Sequence, residues 1–244
     1  MNLLVRNEFM KLKRLKSVYL VLLFGFFPYI VNTMGLFFMD IEFDWEKYYM
    51  FVYNQYAVLL PTVIFIFSGF YFNIEFKNKT VLNWMAYPYN KFQLIISKIL
   101  AIYFLLFGIS FVNHIIHLTT LWLVFKNDIL FSELLTLFLT SMIFTVLSLL
   151  IIPIAGLVAF MTKNIVVVMI LGVASFFIMT VLLGADLSII FPFSYIYRIS
   201  IQTYISSMGY SEIGLQTGGA VILAAYVSIS LLGLYLYSKK VRVF

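Results

Sequence analysis

Six separate stretches of nearly uncharged, apolar residues constrain this chain more tightly than any other feature. They run roughly Ser17 to Phe38, Val52 to Ile74, Ile99 to Phe125, Leu134 to Phe160, Ile165 to Gly184 and Gly218 to Tyr237. A helix needs about 20 apolar residues to cross the hydrocarbon core of a bilayer. Lipid offers the backbone no hydrogen-bond partners, so each stretch is expected to be helical. Only 11% of the 244 residues are charged, against about 25% in a soluble domain. The expected fold is therefore an all-α polytopic membrane protein, with residues 1–244 forming a single transmembrane domain.

Lysine and arginine orient the spans. With both termini inside, Lys47, Lys126 and Arg198 fall on the outer side and the other 13 of the 16 basic residues on the inner side. The positive-inside rule selects that topology, which predicts a multi-pass protein of the cell membrane with both termini cytoplasmic. The basic inner face does not by itself call for nucleic acid. The absence of cysteine removes thiolate metal sites, disulfides and cysteine nucleophiles from consideration. The first apolar stretch continues to Phe38, too long for the core of a cleavable signal, so it is expected to be retained. Lys-, Asn- and Ile-rich usage points weakly to a bacterial source.

Three segments outside the spans carry structure. Residues 1–16 form a basic helix with Val5, Phe9, Leu12 and Leu15 on one arc and Arg6, Lys13 and Arg14 roughly opposite, although Leu3 and Met10 interrupt the pattern. Such a helix is expected to lie in the headgroup interface, its cations drawn to anionic lipid. Residues 186–215 are too apolar for a solvated loop and too interrupted for another pair of crossings. Pro192 breaks helix continuation there, and Tyr195, Tyr197, Tyr204 and Tyr210 suit the water interface, which predicts a re-entrant or surface-lying segment on the outer side.

The third such segment, residues 75–98, is a polar and basic island. "TVLNWMAY" can form a short helix with Val81, Leu82, Trp84 and Met85 against a surface, and Pro88 stops it. Asn90 can cap the next helix, with Gln93 completing a capping box. The result is a helix across the inner mouth of two spans, presenting apolar and basic side chains to something outside the membrane.

At these residues the chain resembles the membrane subunits of type 2 ABC exporters. In that family a Glu ends the second span, a Thr or similar residue opens a short helix, a Pro ends it, and a basic residue and a Lys lead into the third span. Those positions are Glu75, Thr80, Pro88, Lys91 and Lys98 here. A Gly common before the Thr is replaced by Asn78 and Lys79. The resemblance extends to the layout of the whole chain. It implies that the helix bearing Val81, Leu82, Trp84 and Met85 couples the membrane domain to an ATP-binding subunit, with Glu75 and Lys91 anchoring it. The chain lacks the GxxxxGK[ST] loop that cradles nucleotide phosphates. ATP and Mg2+ are thus expected in a partner chain, and no cofactor or metal in this one. A second permease copy or a paralogue is expected to complete a path. Permeases of this layout often export antimicrobial or amphipathic peptides, drugs or lipids, and among these a peptide cargo ranks first.

Several polar groups at membrane depth are candidates for path lining: Asn54 and Gln55 at the start of the second span, and Asn113, His114 and His117 in the third. Interhelical hydrogen bonding accounts for them equally well and is favoured. Tyr48 and Tyr49, beside Trp45, read as interface aromatics of an acidic, solvated outer loop. Two other functions compete with export. An intramembrane enzyme could use His114 with Ser110 as a dyad one turn apart, although no HExxH set or paired buried carboxylates accompany it. A non-pumping immunity protein that captures an antimicrobial peptide would share the same topology.

Overall fold

The computed structural model describes residues 1–38, 44–78 and 89–240. Among them are nine α-helices: α1 (Asn2–Leu12), α2 (Ser17–Phe38), α3 (Trp45–Lys77), α4 (Lys91–Val124), α5 (Phe131–Leu149), α6 (Ile152–Thr162), α7 (Ile165–Leu182), α8 (Pro192–Ile201) and α9 (Ile213–Lys240). Two short 3-10 turns, Asp186–Ile190 and Ser206–Met208, flank α8. Six units are long and apolar enough to span a bilayer: α2, α3, α4, α5 with α6, α7 and α9. The chain is an all-helical, six-span membrane protein, as the hydropathy pattern requires.

Helix α3 is the centre of the bundle, packed against α2, α4, α5, α6 and α7. Its face to α7 is tight because small residues let the backbones approach. A Cβ on Gly172 would stand 3.3 Å from the Thr62 carbonyl oxygen, and the Thr62 hydroxyl donates to the Gly172 carbonyl at 2.9 Å. Gly219 of α9 lies flat against the ring of Tyr195. These glycines serve packing within the chain, whereas Ala220, Ala224 and Ala225 on α9 are exposed. Helix α2 buries only Val21 and Pro28.

Three differences from the sequence-based expectation have clear causes. The fourth span is broken between Leu149 and Ile152, because Pro153 sits in the first turn of α6 and cannot donate to the preceding turn. Helix α3 starts at Trp45 rather than Val52, since the Asp44 side chain caps it by accepting from the Lys47 amide at 2.7 Å. Tyr48 and Tyr49 consequently lie inside the bundle, both 0% exposed, and not in a solvated loop. Pro192 occupies the first position of α8, where a missing N–H costs nothing, so it starts a helix instead of only ending one. Tyr195, Tyr197 and Tyr210 around it are buried, not at a water interface.

Candidate functional site

Two polar centres lie at opposite ends of the bundle. The first occupies the end where α1, the last turns of α3 and the first turns of α4 meet. Leu4, Glu8 and Leu12, spaced one turn apart, form the buried face of α1, which packs against α4. Glu8 is thus carried into the protein between two leucines. Its carboxylate accepts from the Tyr71 hydroxyl of α3 at 2.6 Å and from Lys11 Nζ at 2.8 Å. Lys11 also reaches Glu75 Oε1 at 3.1 Å. Lys98 of α4, 0% exposed, donates to the same Glu75 oxygen at 3.0 Å, and its ammonium stands 4.4 Å above the Tyr71 ring. Two acids and two lysines balance formally.

Buried charges are tolerated only when paired and hydrogen-bonded. Here the pairing ties three chain segments together, and Glu75 and Lys98 flank residues 79–88 in sequence. Burial opposes the charge on Lys11, yet contact with the carboxylates of Glu8 and Glu75 prevails and holds its pKa above the ordinary lysine value.

The second centre lies towards the other end and is built from tyrosines of α3 and small hydroxyls on its neighbours. Tyr56 donates to Ser110 Oγ of α4 at 2.6 Å. Tyr49 hydrogen-bonds Ser141 of α5 at 3.0 Å and donates to the Leu137 carbonyl at 3.0 Å. Tyr53 meets Ser200 of α8 at 2.7 Å. Thr140 of α5 and Thr203 beyond α8 are 2.6 Å apart. The segment containing α8 is thereby bonded to both α3 and α5. Arg198 fastens its two ends, donating to the carbonyls of Ala185, Met208 and Gly209 at 3.2, 3.2 and 2.9 Å.

Each residue singled out in the sequence can now be placed. Glu75 is at the centre of the charged cluster, and Lys91 begins α4 half-buried. Asn90 caps α4 as expected, although its side chain accepts from the Phe92 amide at 2.9 Å and not from that of Gln93. Thr80, Val81, Leu82, Trp84, Met85 and Pro88 lie outside the described residues. Asn54 accepts from the Tyr197 hydroxyl at 2.7 Å, and Gln55 accepts from the Asn32 amide at 2.9 Å. His114 pairs with Thr145 at 2.9 Å. The His117 ring stacks on Tyr49, centroids 5.7 Å apart and planes 3° from parallel, with Tyr48 edge-on at 5.3 Å. Asn113 is 1% exposed.

The two members of the enzyme reading's dyad bond elsewhere in this geometry: Ser110 accepts from Tyr56, and His114 Nε2 meets Thr145 on α5. No cluster of three or more His, Asp or Glu able to hold a metal occurs among the described residues. Sequence reasoning missed Glu8, Lys11 and Tyr71. The signal available was an acid at the centre of the Leu4–Leu12 register, which a lipid-facing arc would not accept.

A third feature is apolar. Leu20, Val21 and Phe24 of α2, Leu59, Ile66 and Phe70 of α3, and Met169 of α7 are among the residues lining a groove of about 240 Å³ near the charged end. Comparison with curated proteins returned no match. The family model for ABC-2 family transporter proteins matches residues 4–181, from the charged helix α1 through nearly all of α7. That match covers well over half of the chain, including both sides of the charged cluster, and the chain belongs to the ABC-2 family of membrane transporter proteins.

Proposed function

We propose that this protein is the transmembrane subunit of an ATP-driven exporter whose ATP-binding subunit docks on residues 79–88. The observation that carries the proposal is the Lys98–Glu75 contact at 3.0 Å, which bonds α3 to α4, the helices that precede and follow that segment in sequence, in a chain of the ABC-2 family. A push on the segment then moves α3 and α4 together, and α1 with them through Lys11 and Glu8. ATP and Mg2+ belong to the partner chain. The basic end faces the cytoplasm of a bacterial cell, with both termini on that side.

Two copies, or this chain and a paralogue, enclose the path. The groove between α2, α3 and α7 supports this, because it is apolar and is walled on one side by α2, which buries only Val21 and Pro28. An amphipathic cargo, with a hydrophobic peptide ranked first, enters from the bilayer there. Asn54, Gln55, Asn113, His114 and His117 come to line the path only when the hydroxyl contacts around α8 part. Export of such a peptide would confer resistance to it.

The test is co-purification in mild detergent with an assay of the eluate for ATPase activity. A stoichiometric partner bearing a nucleotide-binding loop is expected. Replacing Trp84 by Glu is expected to leave membrane insertion and partner ATPase intact while abolishing transport. Peptide resistance that persists in a strain lacking every candidate ATP-binding partner would favour the immunity reading instead.

A further inference from the structure

Helix α4 carries polar residues along one face: Ser110, Asn113, His114, His117 and Thr120, at spacings that stack them turn upon turn. Three of them are satisfied within the protein. Tyr56 donates to Ser110, His114 Nε2 meets Thr145 at 2.9 Å, and Thr120 meets the Tyr29 hydroxyl at 2.9 Å. The other two are not. Asn113 and His117 are 1% and 2% exposed, yet the Asn113 side-chain oxygen and His117 Nε2 have no hydrogen-bond partner in the protein. A buried polar atom without a partner forfeits its hydration and gains nothing in return. Native structures rarely leave two such atoms on neighbouring turns.

The surroundings wall the pair in without serving it. The rings of Tyr29, Tyr48 and Tyr49 stand around the His117 ring, with centroids 6.3, 5.3 and 5.7 Å away, but their hydroxyls are engaged by Thr120, Thr33 and Ser141. Asn113 and His117 are one turn apart, which sets their Cβ atoms about 5–6 Å from each other. One water molecule with two hydrogen bonds of about 2.8 Å covers that span. Water also has the right chemistry. It donates to the amide oxygen, and it can either donate to or accept from a neutral imidazole nitrogen. An anion would be repelled by the amide oxygen, and a zinc or calcium ion would find two ligands where it needs four or more. An apolar atom would leave both groups unpaired. One turn further along the same face, a cavity of about 10 Å³ lined by Ser110, Tyr56 and Gly25 of α2 is about the size that one water needs. Packing between α2, α3 and α4 therefore leaves water-sized space along this face.

We infer that Asn113 and His117 form an internal hydration site, holding a water molecule between Oδ1 and Nε2 inside the closed bundle. The site goes beyond the path lining proposed above: it is wet before any contact around α8 parts, and it exists whether or not the chain exports a peptide. His114, comparably buried at 3% exposed and bonded to Thr145, is dry.

The chain holds only two histidines, which makes them clean reporters. Full-length protein carrying isotope-labelled histidine is reconstituted in bilayers, and magnetisation transfer from water to each imidazole ring is followed by solid-state NMR. His117→Phe assigns the two signals. The expected result is transfer to the His117 ring several-fold faster than to the His114 ring. Asn113→Leu, which removes one end of the bridge, should slow His117 to the rate of His114. Thermal unfolding in detergent gives an independent reading. With a bridging water, Asn113→Leu and His117→Phe each lower the melting temperature, and combining them recovers much of the loss, because the second change removes a group already unpaired. A dry site has the opposite sign: each single substitution relieves an unsatisfied atom and raises the melting temperature. Equal transfer to both rings in the wild-type protein, or a raised melting temperature in both single variants, overturns the site. A His117 rate unchanged by Asn113→Leu overturns Asn113 as its partner. Neither readout uses an ATP-binding subunit or a cargo, so failure of the exporter reading would leave both unchanged.

Discussion

The charged cluster at one end of α3 and the tyrosine network at the other solve the same problem, burial of polar atoms among helices, by opposite means. Glu8, Lys11, Glu75 and Lys98 form a few strong contacts in which each member depends on the others. Tyr49, Tyr53, Tyr56, Thr140 and their partners form many weak ones, each a neutral hydroxyl with a nearby acceptor. A buried ion deprived of its counter-ion carries a desolvation cost that nothing relieves. A buried hydroxyl deprived of its partner costs about 1–3 kcal/mol. The comparison teaches that the first region behaves as one unit and the second as a sum of parts.

The largest expected effect follows from removing Lys98. Lys98→Met leaves Glu75 and Glu8 sharing Lys11 and should destabilise the protein by about 3–5 kcal/mol, measured as unfolding in detergent. Adding Glu75→Leu should restore stability to within about 2 kcal/mol of wild type, because the buried pair is then gone. Transport should not return, since the Glu75–Lys98 bond between α3 and α4 is then lost. A double variant that transports normally would show that the cluster serves stability alone.

At the other end, Tyr49→Phe together with Tyr53→Phe should cost about 3 kcal/mol, the sum of three lost hydrogen bonds. An interaction energy well beyond about 0.5 kcal/mol in that cycle would break the contrast, because the rings stack at 5.6 Å and would then be acting as one unit. Tyr53→Phe alone should cost about 1 kcal/mol, since Ser200 keeps its bonds to the Ile196 and Tyr197 carbonyls. The smallest effect is alkaline. The Lys11 pKa is raised on folding above 10.5, so its contribution is complete below that pH and is lost only as pH rises through the folded value. Stability in detergent should be flat in pH across the neutral range as far as Lys11 is concerned, and α1 should detach only in strong alkali.

How much was legible in the sequence divides along the same line. Span number followed from hydropathy because length and apolarity are local properties, and the Asn90 cap followed from local chemistry. The side each residue faces was harder to read. Lipid and protein interior are equally apolar, so Tyr48 and Tyr49 gave no sign of whether their hydroxyls would meet water or Thr33 and Ser141. Glu8 was legible only as an acid in a basic helix, since Tyr71, the partner that draws it into the bundle, comes from 63 residues away in the chain. Glu75 was found through its neighbourhood, and its bond to Lys98 needed the fold.

Helix α3 joins the two regions. It holds 33 residues, about 50 Å at the usual rise per residue, and Pro61 stands midway, sixteen residues from either end. A rod of that length pivoting at its middle is a balanced beam: a tilt of about 5° displaces both tips by about 2 Å in opposite directions. A shift that small is enough to part a hydroxyl contact of 2.7 Å such as Tyr53 with Ser200. Under the proposed coupling, a nudge at Glu75 would reach the far end of α3 as an opened latch, with no side chain carrying the message in between.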